Sequence, residues 1–146
     1  MASVLYPNYK DLMLGYDSAA HALPDWDTDT IKCAIANSTT DYTYSAAHQD
    51  WADVAAYSTD TCYGGESTVT ISGISITSGV VDATDTTFVS VAIDGTKDVD
   101  LVLIYLYNAA AASAPLMIYY DLIASPVTPN SGDIVVQYHG SGLFTL

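Results

Sequence analysis

The side chains best equipped for chemistry in this chain are three histidines, two cysteines and a run of alternating aspartates. His21 precedes Asp25 and Asp27, His48 is followed by Asp50, and His139 precedes Gly140. A histidine acting as a base needs a partner that orients it and a nucleophile or metal within reach. No serine stands in a nucleophile-elbow context, and no histidine pair has the spacing of a zinc site. Asp25, Asp27 and Asp29 carry the alternating spacing of a calcium loop. Thr30 stands where that loop needs glycine, however, and Ala36 where it needs a bidentate glutamate, so the aspartates are expected to shape and cap a turn. Cys33 and Cys62 are read as free thiols, Cys33 in the core. Trp26, Trp51 and the tyrosines could stack on sugars, but such rings more often fill cores and interfaces. No catalytic residue, metal or cofactor is expected.

The elements that must position these residues divide the chain into an N-terminal arm, residues 1–25, and a β domain, residues 26–146. After Pro7, Tyr9, Leu12, Met13 and Tyr16 recur at helical spacing, which predicts a short helix ending near Gly15. Pro24 and the aspartates mark a turn into the first strand, where Ile31, Cys33 and Ile35 share one face and Lys32, Ala34 and Ala36 the other. From Asp41 to Cys62 the sequence fits either a short helix over Ser45–Ala55 or an irregular loop. Beyond Gly65, apolar alternation interrupted by turns predicts short strands: Val69–Ile76 with a break at Ser72-Gly73, Val80-Val81, Phe88–Ile93, Val99–Asn108, Leu116–Ile123, Ile134–His139 and Gly142–Leu146. Ala109–Ala112 is placed in a strand connection. About seven or eight such strands point to an all-β, antiparallel β-sandwich, jelly roll preferred over immunoglobulin-like.

Charge excludes a large class of partners. Lys10, Lys32 and Lys97 are the only cations against 17 acidic residues, a formal charge of −14, so a phosphate backbone is repelled and nucleic-acid binding is not expected. No apolar run approaches the roughly 18–20 residues of a membrane span, and the first nine residues lack a basic signal region, so synthesis in a cytoplasm is expected. At 146 residues the chain suits one core that buries roughly 68–70% of the unfolded surface.

Two strands lack a polar face. In LVLIYLY, Leu101, Leu103, Tyr105 and Tyr107 alternate with Val102, Ile104 and Leu106; PLMIYYDLI repeats the pattern with Met117 and Tyr119 in one phase and Leu116, Ile118 and Tyr120 in the other. A half-exposed antiparallel strand would alternate apolar with polar. The outer face must be covered either by another part of the chain, such as the arm, or by another subunit. Twelve tyrosines favour the subunit, which makes Leu103, Tyr105, Tyr107 and Tyr119 the candidate interface and a homo-oligomer, trimer before dimer, the expected state.

The stretch Trp26–Asn37, WDTDTIKCAIAN, together with APLMIYYDL and the terminal GDIVVQYHGSGLFTL, resembles a family of small structural proteins of tailed bacteriophages. That family shares a short N-terminal helix, a (W/G)-x-T-D-T-(I/L)-K-V-x-L strand, an S-P-L-I-A-Y-x-D strand and a final G-(I/L)-(F/L)-x-L. Cys33 stands where valine is usual, and the alanine run is a further departure. The resemblance implies a virion component and not an enzyme: a capsid cement or decoration protein on the outer capsid surface, made in the host bacterial cytoplasm, with the major capsid protein as partner. The alternative is a tail, baseplate or fibre module that recognises a glycan or another tail protein. Apart from the resemblance, Leu5, Tyr6, Tyr9, Leu12 and Met13 of the compositionally separate arm are the expected capsid-binding residues, and removal of the arm is expected to leave the β domain folded.

Overall fold

The computed structural model describes residues 2–16, 21–54, 68–92, 95, 97–107, 113–122 and 125–145. Within them the chain runs β1 (Ala2–Leu5), α1 (Pro7–Met13), β2 (Ile31–Ala36), a single 3₁₀ turn (Trp51–Asp53), β3 (Thr68–Thr70), β4 (Ser75–Thr77), β5 (Val80–Asp82), β6 (Thr86–Phe88), β7 (Leu101–Leu106), β8 (Leu116–Asp121), β9 (Ile134–Val136) and β10 (Phe144–Thr145). The described strands pair antiparallel throughout, in a five-stranded sheet ordered β1-β8-β7-β2-β3, a three-stranded sheet β10-β5-β4 and the ribbon β6-β9. The fold is all-β and sandwich-like, with one short helix near its N-terminus.

The large sheet is built around the strands that lack a polar face. Cross-strand partners share a face, so the β2–β7 register Cys33↔Ile104 and Ala34↔Leu103 sorts the sheet into two apolar surfaces. One carries Ile31, Cys33, Ile35, Val102, Ile104, Ile118 and Tyr120; the other carries Ala34, Ala36, Leu101, Leu103, Tyr105 and Tyr119. A bulge between Ile104 and Tyr105 leaves Met117 as an extra residue and brings Leu116 opposite Tyr105. One inserted residue reverses the phase, so Leu116 joins the face of Tyr119 instead of that of Ile118.

Both surfaces are covered by the chain itself. The two small sheets close over the first: the Tyr120 hydroxyl donates to the Leu143 carbonyl at 2.8 Å, and Cys33 lies against Tyr138. The segment after β2 closes over the second, with Trp51 stacked on Tyr105 at 3.9 Å between ring centroids and 4° between planes, and Tyr44 on Tyr119 at 5.1 Å. That segment is an irregular loop with one 3₁₀ turn over its described residues, not a helix from Ser45. It is stitched to the edge of β8 by Leu116 N–H to the Gln49 carbonyl and Trp51 N–H to the Ala114 carbonyl, 2.9 and 2.8 Å.

The N-terminal residues are not a separate arm. β1 is an edge strand of the large sheet, with Val4 opposite Tyr119 and Leu5 opposite Ile118, and Tyr6 N–H extends the pairing to the Met117 carbonyl at 3.0 Å. Pro7 opens α1, where its missing N–H costs nothing. The helix closes in a Schellman motif: Gly15, at φ +77°, donates to the Leu12 carbonyl, and Tyr16 to the Asp11 carbonyl. Tyr6 and Tyr9 belong to the same buried core as β7 and β8, Leu12 is buried as well, and Trp26 Nε1–H donates to the Tyr9 hydroxyl at 2.9 Å. The boundary expected at residue 25 is therefore crossed by packing and by this hydrogen bond.

The strand expected over Phe88–Ile93 is displaced to Thr86–Phe88. Phe88 ends β6, and Val89 and Ser90 form a turn with Ser90 at φ +53°, so alternation downstream of Phe88 does not make a strand. The break at Ser72-Gly73 is present, with Gly73 at φ +63°. Cys62, Ala109–Ala112 and Ile123 lie outside the described residues.

Because β1 and Tyr9 are part of the core, deleting residues 1–15 is expected to abolish cooperative folding, and Tyr9→Ala to destabilise by about 3–5 kcal/mol, the usual range for emptying a large aromatic site. Urea unfolding followed by circular dichroism checks both; a truncated chain with an unshifted midpoint would restore the arm as a separate unit.

Candidate functional site

The titratable groups are occupied in holding loops. His21 is buried, with Nε2 2.6 Å from Asp50 Oδ1, which ties the segment before Trp26 to the turn that carries Trp51. Burial raises the Asp50 carboxyl above its ordinary range, opposed by the His21 ring. His48 Nδ1 lies 2.9 Å from the Tyr42 hydroxyl, which lies 2.7 Å from the buried Tyr6 hydroxyl, so a short polar chain crosses the tyrosine cluster. His139 Nδ1 accepts from Ser141 N–H at 3.1 Å and shapes the bend before β10.

The aspartate run shapes the turn before β2. Asp25 Oδ1 accepts from Asp27 N–H at 3.0 Å, and Asp29 Oδ2 accepts from Asp25 N–H at 2.8 Å. The N–H of Asp27 is the main reason that the Asp25 carboxyl is held below its ordinary range. A second turn follows β2, where Asn37 Oδ1 accepts from Thr39 and Thr40 N–H and the buried Asp41 accepts from Asn37 N–H. Lys97 reaches Asp41 at 3.3 Å. These are loop-locking contacts of the kind that Asp and Asn make in turns.

The structure separates the residues expected to form a subunit interface. Leu103 is buried, Tyr105 is buried under Trp51, and Tyr119 under Tyr42 and Tyr44, with centroids 6.4 and 5.1 Å away. Of the four, Tyr107 alone is exposed, and the Lys32 ammonium sits 4.1 Å from its ring centroid. The doubly apolar strands thus obey the other option that their pattern left open, intramolecular cover, and the cover is the Tyr42–Val54 segment instead of the N-terminal residues. A trimer contact through that face loses its basis, because its apolar area is already removed from water.

The expected capsid-binding residues are also sorted by the fold. Tyr6, Tyr9 and Leu12 are buried, Leu5 and Met13 half-buried, whereas Leu14 and Tyr16 are 84% and 64% exposed. Helical spacing placed Tyr16 on the stripe of Tyr9 and Leu12; the left-handed Gly15 turns the chain away before Tyr16 can follow it. Tyr16 falls outside the expected capsid-binding residues for that reason, although Gly15 itself is a visible signal. The other large exposed apolar side chains among the described residues are Leu23, Ile76, Val89, Val127 and Val135.

One open cleft of about 510 Å³ lies between the large sheet and the bend before β10, floored by Val102, Tyr120 and Leu143 and rimmed by Gln137 and His139. It holds no aligned nucleophile and base. Burial pushes the nearby Cys33 thiol up to about 12, which makes it a poor nucleophile. No described helix is long and apolar enough to cross a membrane. No known family model, curated protein or solved structure matches this chain.

Two outcomes follow from the tyrosine packing. Tyr105→Asp is expected to unfold the chain instead of merely dissociating it, since an unpaired buried charge takes a large share of the roughly 5–15 kcal/mol that holds a domain together. Loss of the native far-ultraviolet spectrum is the readout. Burial raises Tyr6, Tyr42, Tyr105, Tyr120 and Tyr138, Tyr42 to about 12 against the ordinary 10.0. The unfolded chain sheds these protons first, so stability that is whole below pH about 10 falls as pH rises through the window toward 12. Phenolate absorbance at these tyrosines should therefore appear together with unfolding, and a smooth titration in the folded state would contradict the packing.

Proposed function

We propose that this chain is a virion structural protein of the cement or decoration type, seated on the outer surface of a capsid and bound to major capsid subunits. The observation that carries the reading is the exposed pair Leu14 and Tyr16 at the end of α1, the two most exposed large apolar side chains among the described residues. Both side chains are held by a closed helix terminus anchored through Tyr9 and Trp26, so little ordering entropy is lost when they dock. The resemblance of β2 and β8 to phage structural proteins supports the same reading, and both motifs lie in the large sheet flanking β7, as fold-determining strands.

The chemistry is adhesion. A protein that binds the assembled shell and not free subunits stabilises the shell by mass action, and many copies multiply a modest contact energy. With a formal charge of −14 the exterior suits a basic or neutral capsid face and repels nucleic acid. No step of this function needs a catalytic group.

A second reading, a tail or baseplate module for a glycan, draws on the cleft, whose rim has the Gln137 amide and the His139 imidazole beside the Tyr120 and Tyr138 rings. Copy number separates the two: on the order of hundreds per particle for cement, and about six to a few dozen for a tail part. Within the first reading, Leu14→Asp combined with Tyr16→Asp is expected to reduce particle occupancy at least about tenfold, since a buried Leu alone is worth roughly 1.5–3 kcal/mol. The circular dichroism spectrum should be unchanged. Gel densitometry of purified particles reads both quantities, and full occupancy by the double variant would reject this contact.

A further inference from the structure

The three-stranded sheet ends in an unguarded edge at β4. β4 pairs with β5 on one side, and no described residue pairs with its other side. Natural edge strands are usually blunted by charge, proline or a bulge, because free N–H and C=O groups invite another strand. β4 is Ser75-Ile76-Thr77, all three residues are exposed, and Ile76 is 54% exposed. From Ser67 to Val81 the chain has no charged residue and no proline, in a molecule of formal charge −14.

The register shows what a partner strand would complete. Val81 lies opposite Phe144 on one side and opposite Ile76 on the other, so the three side chains form one row on the inner face of the sheet. Val81 is buried and Phe144 half-buried, but the row is uncovered where it reaches Ile76. Ser78 and Gly79, at φ +52° and +80°, make a two-residue hairpin turn, so Thr77 and Val80 exchange the closing hydrogen bonds. Alternation along the strand then turns the N–H and C=O of Ile76 outward.

We propose that β4 pairs antiparallel with β4 of a second copy of this chain across a two-fold axis at Ile76. The axis sets Ile76 opposite Ile76, where the two residues exchange both backbone hydrogen bonds, and Ser75 opposite Thr77. The apolar row then runs unbroken from Phe144 of one copy to Phe144 of the other. A second copy is the favoured occupant because the segment is self-complementary about Ile76 and is uncharged, so two strongly acidic molecules can approach there. A basic partner would be drawn instead to the acidic surface around it. Three residues per copy bury far less than the roughly 1,200 Å² of a standard stable interface. Pairing is therefore expected near millimolar concentration in solution, and more fully where an assembled surface holds neighbouring copies close. This inference is independent of the capsid reading, since its test uses the free protein.

Sedimentation of the full chain at about 1 mM should show a monomer at 0.01 M salt, where charge repulsion reaches about 30 Å, and a dimer fraction above about one half at 0.5 M salt, where repulsion is screened. Ile76→Lys should remain monomeric at both salts with a native spectrum, and Ile76→Val should dimerise like the parent. Hydrogen exchange on the unaltered chain supplies a readout that needs no variant: at high salt the Ile76 amide should slow about twofold or more between dilute and concentrated samples, while Thr77 does not change. A monomer at every salt, a dimer that survives Ile76→Lys, or an Ile76 amide indifferent to concentration would each overturn the proposal.

Discussion

Two adjacent strands that are apolar on both faces set the constraint that the rest of this structure answers. β7 and β8 form ladder bonds with each other and with β1 and β2, but their side chains cannot meet water on either side. On one side the small sheets supply cover, with Tyr138 against Cys33 and the Leu143 carbonyl on the Tyr120 hydroxyl. On the other, an irregular segment places Tyr42, Tyr44 and Trp51 against Tyr105 and Tyr119. An irregular cover suits this task because flat rings fill a layer that another strand would fill only with a further apolar face of its own.

Rings used as cover bring polar tips into the core, and those tips must be paired. The Tyr6 and Tyr42 hydroxyls meet each other, with His48 beyond them; Trp26 donates to Tyr9, Tyr120 to a backbone carbonyl, and Tyr138 meets Thr86 at 2.8 Å. The buried His21 paired with the half-buried Asp50 fastens the base of the cover, and Asp53 Oδ2 accepts from Gln49 and Asp50 N–H on its outer side. Histidines and aspartates that looked like candidates for chemistry are thereby committed to loop geometry. A domain arranged in this way has its polar chemistry turned inward and offers partners shape, apolar tips and negative charge.

The apolar tips assigned to contacts lie at places where regular structure stops. Leu14 and Tyr16 flank the left-handed Gly15 at the end of α1, and Ile76 stands at the last strand of a sheet. Termination explains exposure at each: the row or stripe that would bury the side chain runs out before reaching it.

The chain's alternation, its Gly and Pro punctuation and its charge were enough to establish an all-β architecture, the strands β2, β7 and β8 to within a few residues, and a short helix after Pro7. These are local properties, written in neighbours two to four residues apart. Burial of both faces of LVLIYLY and PLMIYYDLI was equally legible, because no polar residue interrupts them. What covers those faces was not, since the choice between a second subunit and Tyr42–Val54 depends on rings brought together across long stretches of sequence, 54 residues for Trp51 on Tyr105. The place of Ala2–Leu5 was hidden for a similar reason: four residues carry almost no periodic signal, and only the free edge of β8 makes them a strand. The bulge at Met117 reversed a phase that alternation alone would have continued. Sequence periodicity thus decided which residues avoid water, and tertiary structure decided what shields them, because shielding is a matter of which distant surfaces fit.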